Sequence, residues 1–315
     1  MGARLTNSKA FADASIEKKD FNSKYTLGQT IGQGSFGKIL EAQQCTTFRT
    51  VAIKFIKKKS VDHYLNFEGH ILPSEVVFLQ TANHPNIISL VDLYEFNNRY
   101  ALVMERPLAS MDLWKFVNKY GPQNDSVVSF VTHQILKTML YLHQCEIFHR
   151  DLKSGNILID CYTYNIKVID FGCSCIIDKD VFSGHYGTPE FCPPEWFNKP
   201  CYRPEPTNIW AIGIITYEML TGGIPFNSPQ EVMNCRLSFP DRVSHSAKDF
   251  VRSCLKLQEH DRFSYHEALA HHLITEEPSP EENSRILDES TYSKCSAYTV
   301  VENAGARCSS VSRLF

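Results

Sequence analysis

The apolar pattern of this chain changes character once, at Pro107. Before it, Tyr25 to Ile31, Lys38 to Gln43, Thr50 to Ile56, Ile87 to Phe96 and Arg99 to Glu105 carry alternating or β-branched apolar residues. That spacing predicts strands, and Ser74 to Ala82 predicts one helix among them. After Pro107 the period becomes helical. Ser126 to Cys145 sets Val127, Phe130, Val131, Ile135, Met139 and Leu142 near one face, and Pro206 to Leu220 predicts a second, mostly apolar helix. Ala247 to Leu255 and His266 to Ala270 predict shorter ones. A small β-rich part followed by a larger helical part implies an α+β chain of two lobes. A cleft between lobes is the usual place for a ligand.

Length and charge narrow the classes. The 315 residues are 43% apolar, enough for the core of one large domain and too apolar for a disordered polyelectrolyte. With 32 basic and 35 acidic side chains, a strongly basic nucleic-acid binder is excluded. Residues 1–22 show no sustained period and read as a flexible leader. Residues 275–315 read as a disordered tail, with seven acids against four bases and eight serines from position 276 onward. The ordered domain is then expected over 23–274, its lobes dividing near Glu105 and Arg106. Met1 to Thr6 fits the loose myristoylation pattern, but a single acyl chain holds a membrane weakly, so no stable membrane association is expected. Ile209 to Phe226 is apolar but contains Glu218, and reads as a buried helix. The eleven cysteines lack zinc-ribbon spacing and are expected to be reduced, in a cytoplasmic or nuclear setting. Cys173 and Cys175 read as two buried small side chains.

Six segments carry chemistry. Gly32-Gln33-Gly34-Ser35-Phe36-Gly37-Lys38-Ile39 lies between two strands, and glycines there let the backbone approach phosphate oxygens. Taken alone it is equally a glycine-rich hairpin. Val51-Ala52-Ile53-Lys54 places a lysine in an apolar strand, which is costly unless a carboxylate meets it; Glu75 is available on the next helix. His149-Arg150-Asp151-Leu152-Lys153-Ser154-Gly155-Asn156 follows the amphipathic helix, and Asp170-Phe171-Gly172 begins fourteen residues after Asn156. Gly187-Thr188-Pro189-Glu190 and Pro193-Pro194-Glu195 complete the order.

In that order these segments resemble the eukaryotic protein kinases over about residues 23–274. The resemblance implies the bilobal kinase fold, a Mg2+–ATP requirement and transfer of phosphate to protein hydroxyls. It implies that Lys54, held by Glu75, grips the α- and β-phosphates. It makes Asp170 and Asn156 the oxygen ligands of magnesium and Asp151 the acceptor of the substrate proton. Lys153 would steady the γ-phosphate, and with Thr188 it matches the serine/threonine pattern. Ile31, Ile39, Ala52 and Leu158 would sandwich the adenine, with Met104 as gatekeeper and Glu105-Arg106-Pro107 as hinge. Glu195 would pair with Arg262 in a structural role, and His149 would pack under the catalytic loop. A monomer acting on protein substrates is implied.

The Glu-Arg-Pro hinge is similar to that of the Pim kinases, as are Leu72 to Val77, Pro193 to Trp196, and Asn208 where most kinases place an aspartate. Pro107 has no N–H, so one strong hinge bond to adenine is expected, through the Glu105 carbonyl. Pim kinases favour basic residues upstream of the target. Here Asp112 remains, but Ser154, Gly155, Gly223 and Asn227 stand where acids are expected, which implies a weaker arginine preference. Arg150 calls for a negative partner in the segment that follows: Asp178, Asp180, or a phosphorylated Ser183 or Tyr186. A pseudokinase scaffold is the alternative reading. The presence of Lys54, Glu75, Asp151, Asn156 and Asp170 together speaks against it, and the Thr188 to Trp196 segment speaks against a small-molecule kinase.

Overall fold

The computed structural model describes residues 18–34, 37–198 and 201–275. Met1 to Thr6, which fit the myristoylation pattern, the tail from residue 276, and Ser35 and Phe36 of the glycine-rich loop lie outside the described residues.

The first lobe contains α1 (Lys18–Lys24), β1 (Tyr25–Gly34), β2 (Gly37–Gln44), β3 (Thr50–Lys57), β4 (Tyr64–Phe67), β5 (His70–Pro73), α2 (Ser74–Thr81), β6 (Leu90–Glu95) and β7 (Arg99–Glu105). Five strands form an antiparallel sheet in the order β1-β2-β3-β7-β6. Alternation along β3 and β7 divides the side chains between two faces. Val51, Ile53, Ala101 and Val103 join Tyr25, Ala42 and Tyr94 in an outer cluster. Ile56, Leu102 and Met104 point the other way, into the core that also contains Val76, Val77 and Leu79 of α2.

The helix α1 falls inside the stretch expected to be a leader. Phe21 is its anchor, 3% exposed, with ring centroids 5.0 Å from Tyr94 and 5.5 Å from Phe96. Burying one phenylalanine contributes about 1.5–3 kcal/mol, enough to dock a seven-residue helix against the sheet. The ordered part therefore reaches back at least to Lys18. The β4–β5 hairpin was also not expected; it turns at Glu68 and Gly69, both with positive φ.

The second lobe runs through β8 (Ser110–Asp112), α3 (Leu113–Tyr120), α4 (Asp125–Gln144), β9 (Ile147–Phe148), β10 (Ile157–Asp160), β11 (Ile166–Val168), β12 (Cys175–Ile176) and β13 (Phe182–Ser183). It continues with α5 (Pro194–Asn198), β14 (Cys201–Tyr202), α6 (Pro204–Thr221), α7 (Pro229–Asn234), α8 (His245–Cys254), α9 (Tyr265–Ala270) and α10 (His272–Thr275). Side-chain caps start several helices: Asp112 for α3, Asn124 for α4, Ser244 for α8, and a Ser264–Glu267 capping box for α9. The apolar α6 forms the centre, with Ile209, Trp210, Ile212, Ile214 and Ile215 all fully buried. Among the described residues no helix is long and apolar enough to cross a membrane. The expected α+β bilobal architecture is the one observed.

Candidate active site

Lys54 sits in β3 on the face turned toward α2 and is 3% exposed. Glu75, in the first turn of α2, is 5% exposed. The Lys54 Nζ donates to Glu75 Oε1 at 2.6 Å and to Asp170 Oδ1 at 2.8 Å. Burial alone would lower the lysine pKa, but the two carboxylates outweigh it and hold the ammonium firmly charged. Burial pushes the Glu75 carboxyl up against the pull of Lys54. For Asp170 burial is outweighed, and Lys54 holds its carboxyl below the usual range. The partner expected for Lys54 is thus present, and a second carboxylate shares it.

Asp170 adopts a left-handed backbone conformation, φ 64°, and so does Arg150. Such strain in non-glycine residues persists where the surroundings fix it, and it collects at functional sites. Phe171 is fully buried and meets His149 edge-on at 5.0 Å. The Asp151 N–H donates to His149 Nδ1 at 3.3 Å, so the ring proton is on Nε2, which donates to the Ile169 carbonyl at 3.1 Å. Burial lowers the His149 pKa and keeps the ring neutral. His149 therefore supports the loop from below, as expected.

Above it a compact network surrounds Asp151. Thr188 donates to Asp151 Oδ1 at 2.7 Å. Lys153 Nζ lies 2.9 Å from Asp151 Oδ2 and donates to Thr188 Oγ1 at 2.6 Å. Asn156 Nδ2 donates to the Asp151 carbonyl at 2.8 Å and to Oδ2 at 3.0 Å. Both amide hydrogens being used, Asn156 Oδ1 remains as an acceptor, and the bonds that Asp170 accepts from Lys54 and Gly172 both fall on Oδ1. Among the described residues no group of three or more His, Cys, Asp or Glu could hold a metal ion. The resemblance assigns the metal to Asn156 and Asp170, whose amide and carboxylate oxygens are of the hard type that magnesium takes.

The cleft walls are assembled by strand register. Ile39 stands opposite Lys54, Gly32 opposite Ile39, and Ala52 opposite Met104. Leu158, in β10, stands opposite Asp112 on one side and Lys167 on the other. Met104 is buried at 8% exposure, and Ile31 is exposed at the rim. Gln33, Gly34 and Gly37 belong to the β1–β2 hairpin, whose last pair is Gly34 with Gly37, and Lys38 faces solvent. At Gly37 a β-carbon would meet the Phe55 carbonyl at 1.8 Å, so only glycine lets β2 begin there. Cys173 and Cys175 are half-buried, not buried as expected, because they lie at the start of the loop that leaves the cleft.

The loop's arginine differs most from expectation. Neither Asp178 nor Asp180 forms an ion pair with Arg150; all three acids and bases of that loop, Asp178, Lys179 and Asp180, are exposed. The Arg150 guanidinium instead lies 3.5 Å from the centroid of the Tyr186 ring, with Cys175 and Tyr202 as its electrostatic neighbours. Trp196 holds this ring's backbone through an Nε1–H bond to the Tyr186 carbonyl at 3.0 Å. Gly187 follows, where a β-carbon would strike the Arg150 carbonyl at 2.6 Å. Counting charges could not find this arrangement, since an aromatic face carries none.

Glu195 and Arg262 pair as expected, in a bidentate contact with both distances 2.7 Å.

This architecture and this set of side chains define a protein kinase, and comparison with known proteins agrees: residues 25–274 match the protein kinase domain family. The chain belongs to that family. Among its relatives is the serine/threonine-protein kinase pim-2 of Danio rerio, 30% identical over 284 residues, covering 87% of this chain and 91% of the relative. The serine/threonine-protein kinase prk-2 of Caenorhabditis elegans is 31% identical over 256 residues, 80% of this chain and 58% of that one. Calcium/calmodulin-dependent protein kinase type 1B of Rattus norvegicus is 30% identical over 267 residues, 81% of this chain and 76% of that one. Within the family the chain is Pim-like.

Proposed function

We propose that this protein is an active serine/threonine kinase of the Pim type, transferring the γ-phosphate of ATP to hydroxyls of protein substrates. The observation that carries this reading is that Lys54 reaches Glu75 and Asp170 at once, at 2.6 and 2.8 Å. Kinase activity requires both the lysine–glutamate pair and the metal-binding aspartate to be in place, and here one lysine meets both carboxylates.

Each residue then has a task. Lys54 binds phosphate oxygens with a charge that Glu75 keeps oriented. Asn156 and Asp170 supply the oxygens that would hold magnesium, which when bound neutralises phosphate charge. Asp151 accepts the hydroxyl proton of the substrate. Lys153, between Asp151 and Thr188, offers positive charge on the side where the transferred phosphate must pass. Met104, Ala52 and Leu158 supply apolar walls for the base, and the Glu105 carbonyl serves as the acceptor for its amino group.

Activity without phosphorylation of the loop is part of this reading, because Tyr186 occupies the face of Arg150 that a phosphate would otherwise take. A weak preference for upstream arginine is another part. The Asp112 carboxylate already caps α3 and pairs with Lys115 at 2.8 Å, and Gly155 has no side chain to offer. We place the protein in the cytoplasm or nucleus, in keeping with an odd number of cysteines, eleven, without zinc-ribbon spacing.

The test is magnesium-dependent transfer from radiolabelled ATP to serine and threonine peptides, run with and without upstream arginines. Asp151→Asn should remain folded and lose at least ~10³-fold in rate, on the scale of removing a central acid–base group together with its contacts. Wild-type protein that binds ATP but labels no peptide would instead support the scaffold reading.

A further inference from the structure

The three hinge residues that follow Met104 are tied in opposite directions. Glu105 Oε1 accepts from the Ser89 N–H at 2.8 Å and from Lys167 Nζ at 2.7 Å, while the Glu105 N–H donates to the Ser89 carbonyl at 3.0 Å. Lys167 projects from β11, and its ammonium also reaches the Ile87 carbonyl at 3.4 Å. Arg106 points to the other sheet and pairs with Glu41 of β2 at 2.8 Å. Pro107 then fixes its own φ through its ring. Both ion pairs are sheltered, with side-chain exposures between 19% and 29%. Burial opposes charge on Glu105, yet the bonds from Lys167 and Ser89 hold its carboxyl below the usual range.

This lacing has a consequence for base selection, given the reading of the cleft as an ATP site. With no N–H at Pro107, the hinge lacks the second backbone bond that would hold a base in register. Recognition then rests on one carbonyl, that of Glu105. A carbonyl accepts from a 6-amino purine and repels a 6-oxo purine, provided it cannot turn away. The base itself cannot supply that rigidity through a single bond. Two ion pairs, one to each lobe's sheet and acting on consecutive residues, can.

We propose that Lys167 and Glu41 are positioning residues that set nucleotide specificity: through Glu105 and Arg106 they clamp the hinge so that it favours adenine over guanine nucleotides. Neither residue touches the catalytic network around Asp151.

Titration calorimetry of the full chain with ADP and with GDP, in magnesium buffer, tests this without catalysis. Wild type should prefer ADP. Lys167→Met should weaken ADP roughly tenfold and GDP much less, so that the ratio collapses, since one oriented polar contact to a base is worth about that factor. Glu41→Gln should narrow the ratio by about threefold, a pair nearer the surface counting for less. Lys167→Arg, which keeps the charge, should restore it. Melting of the nucleotide-free variants checks that each is folded; if Lys167→Met is not, Glu41→Gln and Lys167→Arg decide the matter. An ADP/GDP ratio within twofold of wild type in folded Lys167→Met or Glu41→Gln overturns the proposal. Failure of wild type to bind either nucleotide would overturn the ATP reading itself, and this inference with it.

Discussion

Among the described residues two cations are buried beside carboxylates, Arg262 in the helical lobe and Lys54 in the cleft. Arg262 is closed. It meets Glu195 with two bonds, the carbonyls of Lys256, Pro206 and Leu257 at 2.9, 3.2 and 3.3 Å, and the face of Trp210 at 4.9 Å. One charge faces one charge, and the guanidinium has no role left to fill. Lys54 is shared. It faces two carboxylates, and one of them, Asp170, is a third exposed, with its bonds from Lys54 and Gly172 both on Oδ1. The local charge is net negative at the place where a cation and phosphates would enter. Burial does not separate a structural ion pair from a functional one; how many charges share the cation, and whether one of them is exposed, does.

The comparison predicts opposite readouts. Glu195→Ala leaves Arg262 buried and unpaired, which should remove about 3–5 kcal/mol from the unfolding free energy, measured by denaturant titration. Lys54→Met should cost roughly 10²–10³-fold in phosphate transfer, the scale of a lost electrostatic donor, with a much smaller change in the same titration. The reason is that burial already favours a proton on Glu75, which can become neutral when the lysine is gone. Unfolding of Lys54→Met as deep as that of Glu195→Ala would erase the distinction.

The same contrast explains what could be read from the sequence. A lysine in an apolar strand demands an anion, so Glu75 was legible from charge and burial alone. Asp151, Asn156 and Asp170 stood in short motifs whose order carries the resemblance. Arg262 was legible only through that resemblance, since its partner is 67 residues away and nothing local marks it. The helix α1 was hidden because one apolar residue, Phe21, carries its docking. The helix α3 had a usable signal, Leu113, Phe116 and Val117 at helical spacing behind the Asp112 cap, but it is only eight residues long. The ion pairs of Glu105 with Lys167 and of Arg106 with Glu41 join segments whose approach the tertiary fold decides.

Arg150 is a third cation, half-buried and intermediate between the two. Among the described residues it has no carboxylate partner, and its Nε is buried without a hydrogen-bond partner. If the Tyr186 ring stands in for an anion, Tyr186→Ala should lower kcat/KM about tenfold in phosphatase-treated protein, within the ~0.5–2 kcal/mol range of a cation–π contact. Tyr186→Phe should match wild type, because the ring does the work and the hydroxyl does not. Equal activity of all three would return the role to an acid or a phosphate elsewhere in the loop.

The smallest effect concerns a group kept neutral where its neighbours are charged. His149 accepts from one backbone N–H and donates to one carbonyl, and that pattern needs a single ring proton. Burial places its folded pKa below the ordinary value of 6.5. The unfolded chain therefore binds more protons in the window below 6.5, and folding stability falls as the pH drops through it. The limit is about 1.4 kcal/mol per pH unit for one proton. His84, also lowered by burial, adds a loss of the same sign, and Glu75, raised by burial, acts against it. Asp170, whose pKa is lowered, loses its contribution only in stronger acid. A difference measurement removes these neighbours. Between about pH 7 and pH 5 wild type should lose stability more steeply than His149→Asn, by up to the limit of one proton. Parallel slopes would mean that the ring takes up its second proton inside the folded loop, and that the support beneath Asp151 tolerates a charge.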